Sequence, residues 1–125
     1  MKKLLGLALA FMLTVSAYSA EITSTKDGGN WSNPASWNGG KVPTKDDDVT
    51  ITSKIIADRI FESKTITIKE NADLILDTRQ DDAKCVVQRL INYGTLRLTK
   101  HSSLYAPDIN NIGIIENEGI IDTGK

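Results

Sequence analysis

The amino-acid sequence predicts an all-β chain: a short right-handed parallel β-solenoid, or β-helix, with an N-terminal tryptophan-containing capping loop. Three observations point there. Short apolar segments alternate with polar residues at period two, as in Lys64-Thr65-Ile66-Thr67-Ile68-Lys69, the pattern of a half-buried strand. Those segments are rich in β-branched and large apolar residues, and beyond the N-terminal leader no 11-residue stretch sustains a helical apolar stripe. Asn-x-Gly-x followed by leucine or isoleucine recurs at Asn92, Asn111 and Asn117, and self-similarity at a spacing of roughly 20 residues marks a repeat fold.

The chain opens with Lys2-Lys3 and the apolar run Leu4 to Val15, which together read as a secretory signal peptide. The run is too short to span a bilayer. Small side chains suit cleavage after Ala17 or Ser19, so residues 1–19 are taken as the leader and residues 20–125 as one β domain. The expected location is secreted, periplasmic or cell-surface. No cysteine follows the apolar run and no second such run occurs, so neither a lipid anchor nor a membrane span is expected. About 105 residues remain, enough for one core. The whole chain carries a net charge of −1, and without Lys2 and Lys3 it holds 13 basic against 16 acidic residues; this balance offers no footprint for nucleic acid. Cys85 is the one cysteine, either a buried small hydrophobe or half of an intermolecular bridge.

Taken in order, residues 21–29 are polar and carry a Lys-Asp-Gly-Gly turn signal. Trp31 and Trp37 then bracket Ser-Asn-Pro-Ala-Ser, a run of turn formers in which Pro34 fixes φ and Asn33 favours turn initiation. The two indoles either clamp this loop against the first coils or leave a face exposed as a stacking platform for a sugar ring. Asp48 to Thr52 begins the alternation, with Val49 and Ile51 on one face. Ile55 to Phe61 reads as strand or bent corner. Lys64 to Lys69 and Ala72 to Asp77 alternate cleanly, Arg79 to Lys84 is a charged loop, and Cys85 to Ile91 reads as strand or helical turn. Asn92 to Leu98, Ser103 to Pro107, Asn111 to Ile115 and Asn117 to Ile121 complete the series.

Ala72-x-Leu74-x-Leu76 aligns with Gly94-x-Leu96-x-Leu98 at an offset of 22, and matching glycines follow Gly94 by 19 and 25 residues. Such spacings suit one turn of a solenoid, with asparagine stacked on asparagine, glycine allowing positive φ at corners, and leucine and isoleucine filling the axis. Four or five coils at roughly 4.8 Å each give a stack of about 20–25 Å. The alternative is an antiparallel β-sandwich in which the Asn-x-Gly triplets serve as hairpin or bulge signals. A solenoid must cover its end strands. The tryptophan loop is placed to cap the N-terminal end, whereas the last repeat has no amphipathic cap: either its coil is left open for a partner or another copy, or the chain is a shortened relative of a longer protein.

Trp31-Ser32-Asn33-Pro34-Ala35-Ser36-Trp37, Gly39-Gly40, Val42-Pro43 and Asp47-Asp48-Val49-Thr50-Ile51 resemble the N-terminal signature of the eight-glycine extracellular domain family. The later Asn-x-Gly segments resemble the coils of secreted bacterial parallel β-helix proteins. The close likeness covers about 22 residues. It implies a β-rich extracellular fold and contact with polysaccharide or surface assembly, without a defined active site. Several glycines of the family pattern are missing here.

Among polar clusters, Asp46-Asp47-Asp48 is the sharpest. In an extended chain Asp46 and Asp48 share a face, which makes them the candidate ligands for a hard cation such as Ca²⁺; the alternative is a solvated turn whose aspartates cap backbone N–H groups. The ligand spacing with intervening glycine is absent, and no metal or other cofactor is expected. Asp77, Arg79, Asp81, Asp82 and Lys84 form a second charged group of the residue types used in polysaccharide hydrolysis or elimination. One loop does not make a groove across coils, so no catalytic residue is assigned. His101 sits in a polar turn with no catalytic pattern to join. The sequence therefore predicts a non-catalytic binding or surface-assembly module. Trp31, Trp37, Tyr93 and Tyr105 are its candidate ligand-binding residues, and extracellular polysaccharide or another surface protein is its expected partner. The alternative is a structural or adhesion element that pairs, with itself or another chain, through its open C-terminal coil.

Overall fold

A computed structural model describes residues 20–80 and 82–125; the predicted leader and Asp81 lie outside the described residues. The alternating segments form β1 (Glu21–Thr23), β2 (Gly29–Asn30), β3 (Asp48–Ile51), β4 (Lys54–Ala57), β5 (Glu62–Ile68) and β6 (Asp73–Leu76). They continue as β7 (Cys85–Asn92), β8 (Thr95–Leu98), β9 (Ser103–Tyr105), β10 (Asp108–Asn111), β11 (Ile114–Asn117) and β12 (Ile120–Asp122). Cys85 to Ile91 is thus strand. The ambiguous stretch from Ile55 to Phe61 is strand as far as Ala57 and corner beyond it. Among the described residues the only helical element is a single 3-10 turn, Pro34–Ser36.

The fold is all-β with parallel strands in two sheets. One sheet has seven strands in the order β1-β3-β5-β7-β9-β12, with β10 also on β7; the other has five, in the order β11-β8-β6-β4-β2. Every ladder between named strands is parallel. The hairpins required by an antiparallel sandwich are not formed, and Ser24–Trp37 is an isolated antiparallel bridge. From β1 to β9 successive strands alternate between the two sheets. The eight-residue β7 carries two neighbours, β9 on Cys85 and Val86 and β10 on Arg89 to Asn92.

Register follows from the period-two pattern, because a slip by one residue exchanges the buried and exposed faces. Val49 pairs Ile66, which pairs Leu90, which pairs Ile109. On the second sheet Ile55, Leu74, Leu96 and Ile115 form a column, as do Ala57, Leu76 and Leu98. Cys85, Leu104 and Ile121 form another. The inner members of these columns are fully buried, each contributing about 1.5–3 kcal/mol for a leucine- or isoleucine-sized side chain. Cys85 is a free cysteine among them. Burial pushes its thiol up to about 11, against a smaller opposing pull from the Phe61 backbone, so it packs as a small hydrophobe.

Asn92 interrupts one column, lying between Ile68 and Asn111 in register. It is fully buried and its amide is satisfied on both sides. Nδ2 donates to Asn111 Oδ1 at 2.8 Å and to the Ile114 carbonyl at 2.9 Å, while Oδ1 accepts the Gly94 N–H at 3.0 Å. The side chain thereby ties its own corner to the next. The neighbouring glycines have a different role from the one their motif suggests. Gly94, Gly113 and Gly119 are not among the glycines with positive φ. A Cβ on Gly94 would lie 2.3 Å from the Ala72 carbonyl oxygen, and one on Gly113 2.2 Å from that of Gly94. Close approach of the corner below, and not a left-handed backbone, excludes a side chain there.

Gly94→Ala is expected to lower stability by about 1–3 kcal/mol, since the obstructing atoms are backbone. Asn92→Ala is expected to cost about 1–3 kcal/mol by leaving buried backbone groups without partners. Urea unfolding checks both, and an unchanged midpoint for Gly94→Ala would contradict the close corner.

Candidate functional site

The N-terminal loop folds around its own turn residues. The Asn33 side chain accepts the Ala35 N–H at 3.0 Å and Pro34 starts the 3-10 turn. Trp31 and Trp37 meet edge to face with centroids 4.9 Å apart, and Trp31 stacks on Phe61 at 4.0 Å. Trp37 Nε1 donates to the Trp31 carbonyl at 2.9 Å. The indoles are 3% and 1% exposed respectively. This placement corrects the stacking-platform alternative: neither ring leaves a free face for a sugar, because a small core recruits its largest apolar surfaces first.

Two carboxylates fasten this cap. Asp58, just after β4, accepts the Ser32 N–H at 3.1 Å and the Ser32 hydroxyl at 2.5 Å. Asp47 accepts the Ala20 N–H at 3.0 Å, the Thr44 N–H at 2.7 Å and the Thr44 hydroxyl at 3.0 Å. For each acid burial alone raises the pKa, but the hydrogen bonds, with Lys41 near Asp47 and Arg59 near Asp58, outweigh it and hold the carboxyl below the ordinary aspartate value. Asp46 and Asp48, the weak candidates for cation ligands, lie before and at the start of β3. The alternation argument assumed an extended chain. In fact the Asp47 N–H donates back to the Thr44 carbonyl at 3.2 Å, and this turn directs the middle aspartate inward. Asp46 is exposed and Asp48 half-buried in β3. Among the described residues no three His, Cys, Asp or Glu side chains are placed to hold a metal ion.

The second charged group is divided between ion pairs. Asp77 pairs Arg79 at 3.2 Å and accepts the Thr99 hydroxyl at 3.1 Å, while Lys84 pairs Asp122 at 2.9 Å. Asp82 is exposed, and His101 is exposed in a turn with φ of 69°. Tyr93 and Tyr105 are separated. Tyr93 is 47% exposed at the corner after β7, where it borders a shallow groove of about 260 Å³ with Glu70, Asn71, Asp73, Thr95 and Gly113. Tyr105 lies half-buried in β9, in register between Val86 and Asp122.

The other unoccupied surface is the C-terminal edge. Among the described residues β10, β11 and β12 each pair one strand there, β7, β8 and β9 respectively. A parallel edge strand presents the alternate backbone groups that face away from its neighbour. Ile109, Ile115 and Ile121 continue the core columns but are only partly buried, whereas Leu90, Leu96 and Leu104 beneath them are wholly covered. Ile112, Ile114 and Ile120, on and between these strands, are 59%, 59% and 60% exposed. The alternation pattern alone gives no sign of this difference between edge and interior. It emerges only when the position in the stack is known.

Among the described residues no helix is long and apolar enough to cross a membrane. Comparison with protein-family models, curated proteins and solved structures finds no match to this chain.

The two cap carboxylates are ionised at a lower pH in the fold than in the unfolded chain, so their contribution is complete above about pH 4 and is lost as pH falls through their folded values. The fluorescence of the buried tryptophans is expected to shift to the red on acidification below about pH 4. Asp58→Asn is expected to weaken the cap by about 1 kcal/mol, discounted for partial screening. A wild-type urea midpoint that does not fall as pH is lowered below about 4 would contradict this role.

Proposed function

We propose that the chain is a short parallel β-solenoid, exported to the cell surface or extracellular matrix, that acts without catalysis as an assembly element through its open C-terminal coil. The observation that carries this reading is the asymmetry of the two ends. At the N-terminal end the aromatic loop covers the core; at the other, three partly buried isoleucines lie beside three strands with one neighbour each. Strand addition to such an edge supplies main-chain hydrogen bonds and buries the exposed layer. The parallel columns support the solenoid. Export rests on the basic and apolar leader pattern, and the likeness of residues 30–51 to the eight-glycine domains agrees with an extracellular setting.

A second reading is contact with polysaccharide. It is favoured by Tyr93, whose exposed ring borders a groove that also holds Asn71, Asp73 and Thr95, polar partners of the kind that accompany an aromatic platform.

Retention on the cell envelope separates the two. If the edge acts, Ile115→Asn combined with Ile121→Asn is expected to reduce retention roughly tenfold, equivalent to about 1.4 kcal/mol, while far-UV circular dichroism is preserved and Tyr93→Ala remains retained. Undiminished retention of the edge variant would contradict the assembly reading, and loss in Tyr93→Ala alone would favour the glycan.

A further inference from the structure

The assembly reading leaves the chemistry of the occupant open, and the charges of the last two coils address it. Three ion pairs join β10–β12 to the layer beneath: Arg89 to Asp108 at 3.6 Å, Arg97 to Glu116 at 3.0 Å and Lys84 to Asp122 at 2.9 Å. In all three the base belongs to the lower layer and the acid to the edge. Glu118 adds a further carboxylate, and no lysine or arginine occurs from Ser102 to Gly124. The charged side chains that the last layer itself contributes are therefore all acidic, and three of the four are paired with a base of the layer beneath.

Resting on the assembly reading, we infer that the C-terminal edge receives an extended segment of a partner protein in which apolar residues alternate with lysine or arginine. A strand added in register lies about 4.8 Å above the edge. Its inward residues fall over Ile109, Ile115 or Ile121 and its outward residues over Asp108, Glu116 or Asp122. Opposite charges at directly neighbouring positions on adjacent strands are favourable and like charges unfavourable. A base at those positions therefore extends the existing Arg89–Asp108 and Arg97–Glu116 alternation by one layer.

The same charges disfavour a second copy of this chain. Two C-terminal edges brought together would set Asp108, Glu116, Glu118 and Asp122 against their own kind. The N-terminal strands β1 and β2 also have one neighbour each, but the apolar side chains of that end, Ile22, Trp31 and Trp37, are already buried. The chain's own segment with that alternation, Leu96-Arg97-Leu98, is held within β8 between β6 and β11. The segment that fits is thus foreign and basic. β11 is its best-defined seat, because half-buried Ile115 and exposed Glu116 are consecutive there.

The test is an anisotropy titration of the intact exported protein with labelled octapeptides alternating valine with lysine, with serine or with glutamate, at about 0.15 M salt. The lysine peptide is expected to bind at least tenfold more tightly than the glutamate peptide. Glu116→Gln should weaken it several-fold with no change in circular dichroism. Ile115→Asn, which leaves the charge intact, should also weaken it, and lysine-peptide binding insensitive to that substitution would overturn the inference by exposing a non-specific attraction. Equal binding of the serine and lysine peptides would overturn the basic character of the partner while leaving strand addition standing. Self-association through the edge with no peptide bound would replace the foreign segment by a second copy. Absence of both peptide binding and self-association would overturn the assembly reading itself.

Discussion

In-register parallel stacking is the constraint on which the rest of this structure depends. When each strand lies directly over its predecessor, every side chain is set above the residue one layer below, so the chain must repeat itself chemically even where it does not repeat in sequence. Isoleucine and leucine thereby make continuous columns, as in Val49, Ile66 and Leu90. The same geometry imposes a cost at the corners, where backbone approaches backbone. Gly94 and Gly113 meet that demand by lacking a Cβ. Asn92 meets it by donating and accepting across the layer boundary.

Other corners use hydroxyls as well. Ser24 Oγ accepts the Thr52 N–H at 2.9 Å and Ser53 Oγ donates to the Thr25 carbonyl at 2.6 Å, while on another corner Ser102 Oγ accepts the Thr78 N–H at 3.1 Å. Short hydroxyl side chains can satisfy backbone groups that turn away from either sheet. Among the described residues no buried side-chain nitrogen or oxygen lacks a partner. The polar interior of the stack is therefore part of its connectivity, tying layers together where the apolar columns do not reach.

Much of the architecture was legible in the sequence because stacking repeats the pattern it depends on. The offset of 22 residues placed Leu74 with Leu96 and Leu76 with Leu98, which are register partners. The matches of Asn92 with Asn111 and of Gly94 with Gly113 also coincide across layers. The spacing to Gly119 was misleading, since that glycine approaches the Ser102 carbonyl on a different corner. Two corners of one coil share a motif, and sequence alone does not distinguish them. In the aspartate run the reading of a turn whose aspartates cap backbone N–H groups fits Asp47, which accepts from Thr44 and Ala20, while the turn from Thr44 breaks the alternation that singled out Asp46 and Asp48. Phe61 as the partner of Trp31, and the ion pairs joining the last two coils, were illegible because their members are brought together by the stack alone. The significance of Asp108, Glu116 and Asp122 was not legible, since it depends on which bases lie beneath them.

The two ends of such a stack have to be treated differently from its interior, and here they differ from each other. Both end layers have strands with one neighbour each among the described residues, but the first is lined by two buried indoles and fastened by Asp47 and Asp58, whereas the last exposes isoleucine. Residue-resolved amide hydrogen exchange on the isolated protein tests this account most directly. It predicts the slowest exchange in β5 to β8, protection of the Trp31 and Ser32 amides in the cap, and fast exchange at those amides of β10 to β12 that face away from β7 to β9. Uniform protection of the last three strands, at the level of β7 and β8, or an unprotected cap would contradict a stack closed at one end and open at the other.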